Sequence, residues 1–530
     1  MVWLLKLPAL AVVASAEFRL IPLPSFGSEV RGLHVSKLLQ QLKGSEAEQA
    51  EAERDVARLR SAFHTERILA FREQGTLPWQ DQVAFSELFG LVFNESRHEN
   101  RAPHPSIPDA RVALFSNDPA KGNQGVGVEG WHVDGNVVPV PHAATLIHCI
   151  SAVPGGDTYF VPLREVVQTL RRQGHVKGNC EERAPPCFES RPQRGNGKIP
   201  LDDVLFQSQH SKNITHPLIY AHPVTGYDTM MFGLGKLSGR YQRGCLQPRL
   251  NRPVQISRED TEVVMETIEA AIEESKKSLW WRWADGDLLV VDNRAVAHLA
   301  TEGSQGHPED VGLRLMQRTT VESKVMPQKR PLLHSLPHVC IEEQAPESDT
   351  SGHYCFFSLA QELPYPDDAF DSFDSREAAR ERCRILSPHA DLGVPSTPER
   401  NQAAGLVVAS VERPHWIGGW DEPNGHVTWL DGSSPDMAVW EELPWHKPSS
   451  QPNDCDGPES ERCMFMGPDA RWFDFACRPK QAGVNRYNQT VTPGPVVTWR
   501  EGLRRQFNIY PLCGLLFKEG EATQLGLRTA

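Results

Sequence analysis

His132 and Asp134 stand two residues apart, a spacing that in extended backbone points both side chains the same way. Together they can reach one ion. A third ligand is offered far along the chain by His298, which follows the apolar, strand-like run Asp287–Arg294. Two imidazoles and one carboxylate on one face of a metal leave coordination positions open. That arrangement suits non-haem Fe(II), where a co-substrate and oxygen bind side by side. A His-x-Asp pair is weak by itself, because the chain has 20 histidines and most histidines are surface or satisfied core residues.

Arg314 and Arg318 lie four apart in Arg-Leu-Met-Gln-Arg, so on one strand they share a face. A guanidinium grips a carboxylate through two parallel hydrogen bonds, which is what the distal carboxylate of 2-oxoglutarate requires. If Arg314 points into a pocket, Arg318 does too. A second buried cation needs a counter-charge. That charge is either the anionic group of a substrate or an internal acid such as Asp285 or Asp292. In isolation, two surface arginines would be the simpler account.

The surrounding elements must hold these residues in place. Ser45 to Arg67 reads as a helix, with Ser45 as cap and Glu48 closing a capping box. A β-rich stretch follows, with apolar segments at Ala143–Ile150 and Leu288–Val291. Thr261–Ser275 has helical periodicity and ends before a tryptophan-rich strand. Residues 172–199, rich in Pro, Gly and charge, read as a surface loop or lid that Cys180 and Cys187 could staple. The chain's 530 residues exceed one ordinary core, and a Pro-rich linker at 325–339 separates two expected domains, 17–324 and 340–530. The formal charge of −13, without a basic run, argues against nucleic acid as a partner. No stretch suits a transmembrane helix. Residues 1–16 have the apolar core and the Ala14-Ser15-Ala16 ending of a signal peptide. Of 11 cysteines, seven crowd the second domain, and sequons stand at Asn94, Asn213 and Asn488. These features point to the secretory pathway and disulfides, with a cytoplasmic location as the alternative.

Taken in order, the first domain resembles the taurine dioxygenase family, which includes chlorophenoxyacetate dioxygenases. Phe18–Leu39 is similar to its opening strand and turn, and Arg67–Arg72 to its first core strand. Trp131–Asp134 matches the iron motif, Gly155–Thr158 the Gly-Gly-Asp-Thr turn, and His222–Gly226 the His-Pro-Val-Thr-Gly turn. Gly286–His298 matches the second iron motif, and Arg314–Arg318 the closing strand. The resemblance implies a double-stranded β-helix, or jelly roll, with flanking helices. It implies Fe(II) on His132, Asp134 and His298, and 2-oxoglutarate as co-substrate, its far carboxylate held by Arg314 with Thr158. Arg318 would meet the anionic group of a small substrate. The keto acid would leave as succinate and carbon dioxide while a substrate carbon is hydroxylated, with no essential general base. The sequence departs from the family in a longer gap at 303–312 and in Gly127–Gly130, which lacks a polar amide. Both departures count against taurine itself.

The second domain resembles a C-type lectin-like α+β domain. Tyr354-Cys355 matches its opening strand and Ser375–Arg384 its first helix. Trp416–Gly419 and Trp429–Gly432 match the core signature, and Cys463, Trp472–Asp474 and Cys477 the closing segment. The match implies bridges Cys383–Cys513, Cys463–Cys477 and Cys340–Cys355, leaving Cys455 without a partner. Lectin activity uses Ca²⁺ held by side-chain oxygens. Gln451, Pro452, Asn453, Glu461 and Asp474 align with such positions, but Phe473 replaces a ligand Asn, and Ca²⁺ is not expected. A glycan or protein partner is expected instead. Two other classes stay open: a lectin-like binding protein on an inactive dioxygenase fold, and a sulfonate or carboxylate catabolic oxygenase with an incidental second domain. The intact metal triad stands against the first.

Overall fold

The computed structural model describes residues 18–94, 106–123, 130–176, 201–208, 214–235, 239–247, 252–255 and 258–323, and beyond 325 mainly 336–344, 351–359, 376–411, 413–422, 426–430, 432–435, 463–475 and 510–518. Its first unit is built around a seven-stranded sheet. The strand order is Arg19–Pro22, Ser28–Arg31, Ile68–Phe71, Leu288–Asp292, Ala144–Ser151, Leu315–Val321 and Ala113–Ser116. A three-stranded sheet of Leu279–Trp281, Thr158–Pro162 and Val296–Ala300 supplies the opposing layer.

Alternation along the strands explains this layering. Ile68, Ala70, Leu289, Val291 and Met316 of the wide sheet share one apolar cluster with Phe160, Leu279, Trp281 and Val296 of the narrow sheet. The residues between them, Leu69, Phe71, Leu288 and Val290, point the other way and join a second cluster with Leu38, Val56, Leu59 and Phe63 of the flanking helices. A strand buried on both faces reads as a continuous apolar run, as Leu288–Val291 does. The two face-to-face sheets with helices outside are consistent with the expected jelly roll.

The helix Glu46–Glu66 follows its sequence signals closely. The Glu48 carboxylate accepts from the Ser45 backbone N–H at 2.8 Å and from its hydroxyl at 2.7 Å. The helix ends where Arg67 turns left-handed, at φ 69°. Arg258–Ser275 starts three residues earlier than expected. The long gap at 303–312 holds one helical turn, Pro308–Val311, capped by His307.

The second unit begins with the strand His338–Gln344, so the linker stops short of residue 339. Its main sheet runs His338–Gln344, Ser351–Ser358, Tyr510–Lys518, His415–Glu422, Cys463–Met466 and Trp472–Phe475. Helices Arg376–Cys383 and Pro398–Val411 accompany it. Disulfides join Cys340 to Cys355 and Cys383 to Cys513. Cys463 is disulfide-bonded, and its expected partner Cys477 lies outside the described residues. Phe473 is buried and stacks on Phe465 with ring centroids 4.8 Å apart, so its position belongs to the core. Residues 1–16, Cys180, Cys187, Asn213, Asn488, Cys455, Gln451–Asn453 and Glu461 also lie outside the described residues. No described helix is long and apolar enough to cross a membrane.

The units touch at the turn His222–Gly226. Arg384 donates to the Val224 carbonyl at 3.0 Å. Gly226 has φ +68°, and a Cβ there would overlap the Arg384 carbonyl.

The bridge Cys383–Cys513 spans 130 residues, for which chain entropy alone gives about 5 kcal/mol of stabilisation. Non-reducing peptide mapping of the oxidised protein should recover it together with Cys340–Cys355. Cys383→Ser should lower the unfolding free energy of the second unit by about 2–5 kcal/mol. Free thiols at Cys383 and Cys513 would contradict the fold described.

Candidate active site

His132 and His298 are brought together by the backbone. The His132 N–H donates to the His298 carbonyl at 3.1 Å, and the His298 N–H returns to the His132 carbonyl at 3.0 Å. A reciprocal pair of this kind places the two side chains side by side on one face of the ladder. Their ring centroids are 4.3 Å apart. Asp134, two residues on, completes the group as alternation requires. Its Oδ1 lies 3.8 Å from His132 Nε2 and 4.0 Å from His298 Nε2.

These separations are too long for hydrogen bonds and leave room for an ion between the three atoms. The tautomers fit one. His132 Nδ1 meets the Gly130 carbonyl at 2.9 Å, which requires the proton on Nδ1 and leaves the Nε2 lone pair facing the group. Burial pushes His298 down to about 3, with the neighbouring His132 adding to the effect, so its imidazole is neutral. The three atoms could hold a metal through two neutral nitrogens and a carboxylate, the donor set of an open non-haem iron site.

Arg318 reaches the same group from the wide sheet. Its NH1 donates to Asp134 Oδ2 at 3.1 Å, and its guanidinium lies over the Phe115 ring, 4.5 Å from the centroid. Neither internal acid considered from the sequence is its partner. Asp285 accepts from the Ala152 N–H at 2.8 Å, and Asp292 is engaged by His64 and His222.

Arg314 precedes the strand Leu315–Val321, and the pairing register shifts between Leu315 and Met316. The extra residue of that shift, Ile150, belongs to the partner strand, and Leu315–Arg318 pairs without a break against Ala113–Ser116, so the even spacing of the two arginines is kept. Arg314 Nε donates to the Gly156 carbonyl at 3.2 Å, and the side chain is only 3% exposed. Among the described residues it forms no ion pair, and burial pulls its pKa below the usual arginine value. The carboxylate of Asp157 offsets this only in part and without an ion-pair contact, so a carboxylate ligand suits this place.

Thr158, two residues beyond Gly156, lies on the same face of its strand as Phe160, the register partner of His298. Its hydroxyl accepts from Trp283 Nε1 at 3.0 Å. The accepted bond turns the hydroxyl proton away from Trp283, leaving it to donate elsewhere. Sequence reasoning did not single out Trp283; the tryptophan-rich run Trp280–Trp283 was the available signal.

A family model described as taurine catabolism dioxygenase TauD, TfdA family matches residues 23–320. An alpha-ketoglutarate-dependent sulfate ester dioxygenase of Pseudomonas putida is 24% identical over 308 residues, covering 56% of this chain and 87% of that protein. An alkylsulfatase of Acinetobacter baylyi is 24% identical over 285 residues, covering 52% and 76%. A crystal structure of a taurine dioxygenase from Burkholderia xenovorans is 22% identical, covering 58% of this chain and 92% of that one at a TM-score of 0.40.

Replacing His132 or Asp134 by Ala should abolish stoichiometric binding of Fe(II) and the succinate formation that depends on it. Thermal unfolding should stay cooperative, because both side chains are partly exposed to the site rather than packed in the core. Equilibrium dialysis with Fe(II) under anaerobic conditions checks this; wild-type affinity in either variant would remove that residue from the ligand set.

Proposed function

Since the chain belongs to the taurine catabolism dioxygenase TauD, TfdA family, we propose that its first unit hydroxylates a carbon of a small anionic substrate, a sulfate ester foremost. The protein is a 2-oxoglutarate-dependent dioxygenase that uses Fe(II), alpha-ketoglutarate and 2-oxoglutarate being one compound. When bound, Fe(II) with 2-oxoglutarate and O₂ supplies the oxidising power for the C–H bond, and 2-oxoglutarate is converted to succinate and CO₂. His132, Asp134 and His298 hold the metal. Arg314 binds the far carboxylate of 2-oxoglutarate, and the Thr158 hydroxyl, oriented by Trp283, donates to it. The protein's contribution is placement and exclusion of water.

The observation that carries the substrate reading is the Arg318 guanidinium, 3.1 Å from the metal-facing carboxylate. A guanidinium has five N–H donors, more than one carboxylate oxygen consumes. It can brace Asp134 and still meet a sulfate, sulfonate or carboxylate. The relatives named as a sulfate ester dioxygenase and an alkylsulfatase favour the first of these. A hydroxyl placed on the carbon that bears the ester oxygen makes that C–O bond labile, and it breaks to an aldehyde and free sulfate.

The second unit is read as a C-type lectin-like module that docks a glycan or protein partner. The bridges Cys340–Cys355 and Cys383–Cys513, where the resemblance pairs them, support this reading and folding in an oxidising compartment. Binding of the full chain to a glycan array, with and without calcium, separates the two kinds of partner.

A panel of alkyl sulfates, sulfonates and carboxylates, scored by succinate and sulfate release, tests the reaction. Arg314→Ala should raise the KM for 2-oxoglutarate roughly tenfold to a hundredfold, the scale of a lost charged hydrogen bond. Arg318→Gln should raise the KM of the anionic substrate by a similar factor while substrate-free 2-oxoglutarate turnover persists. Equal use of a neutral substrate by wild type and Arg318→Gln would reject the anionic class.

A further inference from the structure

A second group of metal-capable side chains stands in the same unit: the buried His222 and Asp292, with the half-buried His64. Its hydrogen bonds exclude a metal there. His222 Nδ1 accepts from the backbone N–H of Val224 at 3.2 Å and of Thr225 at 3.1 Å. The ring proton must then sit on Nε2, which donates to Asp292 at 3.2 Å and keeps no lone pair for an ion. His64 Nδ1 lies 2.9 Å from Asp292 Oδ2, and the Arg294 N–H donates to Oδ1 at 3.1 Å. A fully buried carboxylate with this many donors is an anchor point of the backbone.

The anchored backbone carries Asn293 directly after it. The Asn293 side chain grips the main chain of Asp134 from both sides. Its Oδ1 accepts from the Asp134 N–H at 3.2 Å, and its Nδ2 donates to the Asp134 carbonyl at 2.8 Å. The same Nδ2 meets the His142 carbonyl at 3.2 Å. A backbone N–H can only donate and a carbonyl can only accept, so these partners fix which end of the amide is which.

Asp134 needs this support more than its neighbours do. His132 is bridged to His298, and the Val133 N–H donates to the Phe232 carbonyl at 3.2 Å. Asp134 lies beyond that ladder, in a turn. Gly135 follows at φ +77°, where a Cβ would come within 2.9 Å of the His142 nitrogen, and it swings the chain back within reach of the same amide.

We propose that Asn293 is a positioning residue for the iron site, holding the carboxylate ligand Asp134 in register with the two bridged histidines, and that the His64–Asp292–His222 cluster fixes Asn293 in turn. The proposal rests on the reading of Asp134 as a ligand. Two of the three are located by backbone pairing; the main chain of the third is gripped by one side-chain amide, while Arg318 braces its carboxylate.

The test measures the dissociation constant for Co(II), and for Fe(II) under anaerobic conditions, in full-length Asn293→Ala and Asn293→Asp, beside the thermal midpoint of the metal-free protein. Loss of an outer partner of a ligand costs roughly 10–100-fold in metal affinity, and that rise is expected in both variants. The KM for 2-oxoglutarate should stay near wild type, because Arg314 and Thr158 are untouched. A merely structural role would lower the thermal midpoint and leave the affinity of the folded fraction unchanged, which would overturn the proposal. Where Asn293→Ala fails to fold, Asn293→Asp decides: it keeps the acceptor for the Asp134 N–H and turns an oxygen toward two carbonyls. Wild-type metal affinity in that variant also overturns the proposal. Asp134→Ala measured alongside separates the two levels, since retained metal binding there rejects the ligand reading, and lost binding there with normal binding in the Asn293 variants rejects only the positioning role.

Discussion

The reciprocal backbone bridge between His132 and His298 is the constraint on which the site depends. It joins residues far apart in the chain, and neither histidine can be placed without the strand that carries the other. His298 belongs to the narrow sheet through Val296–Ala300, whose inner face packs Val296 against the wide sheet. Burial of that shared cluster therefore sets the distance between the sheets. The bridge converts this distance into the position of two imidazole rings. Closing such a long loop is entropically costly, and the cost is met when the fold forms rather than when a ligand arrives.

Asp134 stands where forces from both layers meet. Its Oδ1 faces the histidines fixed by the narrow sheet, and its Oδ2 takes the hydrogen bond of Arg318 from the wide sheet. Relative movement of the sheets would therefore alter the carboxylate's two oxygens differently. The helix Glu46–Glu66 damps such movement from outside, through Val56, Leu59 and Phe63 against the outer face of the wide sheet. Arg67, the cap that follows it, pairs with Glu165 at 2.7 Å, tying the helix end to the helix Leu163–Arg172.

Much of this was legible in the sequence because it obeys local rules. Alternation placed His132 and Asp134 on one side, the capping box fixed the start of the first long helix, and cysteine placement under the lectin-like resemblance gave the two observed bridges. The even spacing of Arg314 and Arg318 agrees with the unshifted pairing of Leu315–Arg318 against Ala113–Ser116. What escaped depends on three-dimensional neighbours. Beside a substrate anion, the sequence offers Asp285 and Asp292 as internal partners for Arg318. Both are consumed locally, by a backbone N–H and by two histidines. Arg318 instead donates to Asp134, a candidate metal ligand whose carboxylate offers a second oxygen. The turn in the 303–312 gap was readable in principle, since Pro308 at the first helical position is a start signal.

Charge balance at the site supports the proposed anionic substrate. Before metal binds, Asp134 and Arg318 neutralise each other and His298 is held neutral by burial. Bound Fe(II) would add two positive charges and the keto-acid end of 2-oxoglutarate one negative charge, while Arg314 would match the far carboxylate. The site would then carry a net single positive charge beside partly buried groups, where an unbalanced charge is expensive. A monoanion such as an alkyl sulfate, sulfonate or carboxylate restores neutrality. A neutral substrate leaves the charge unbalanced, and a cationic one adds to it. Arg318 is thus suited to two tasks at once, bracing Asp134 and meeting the proposed substrate anion.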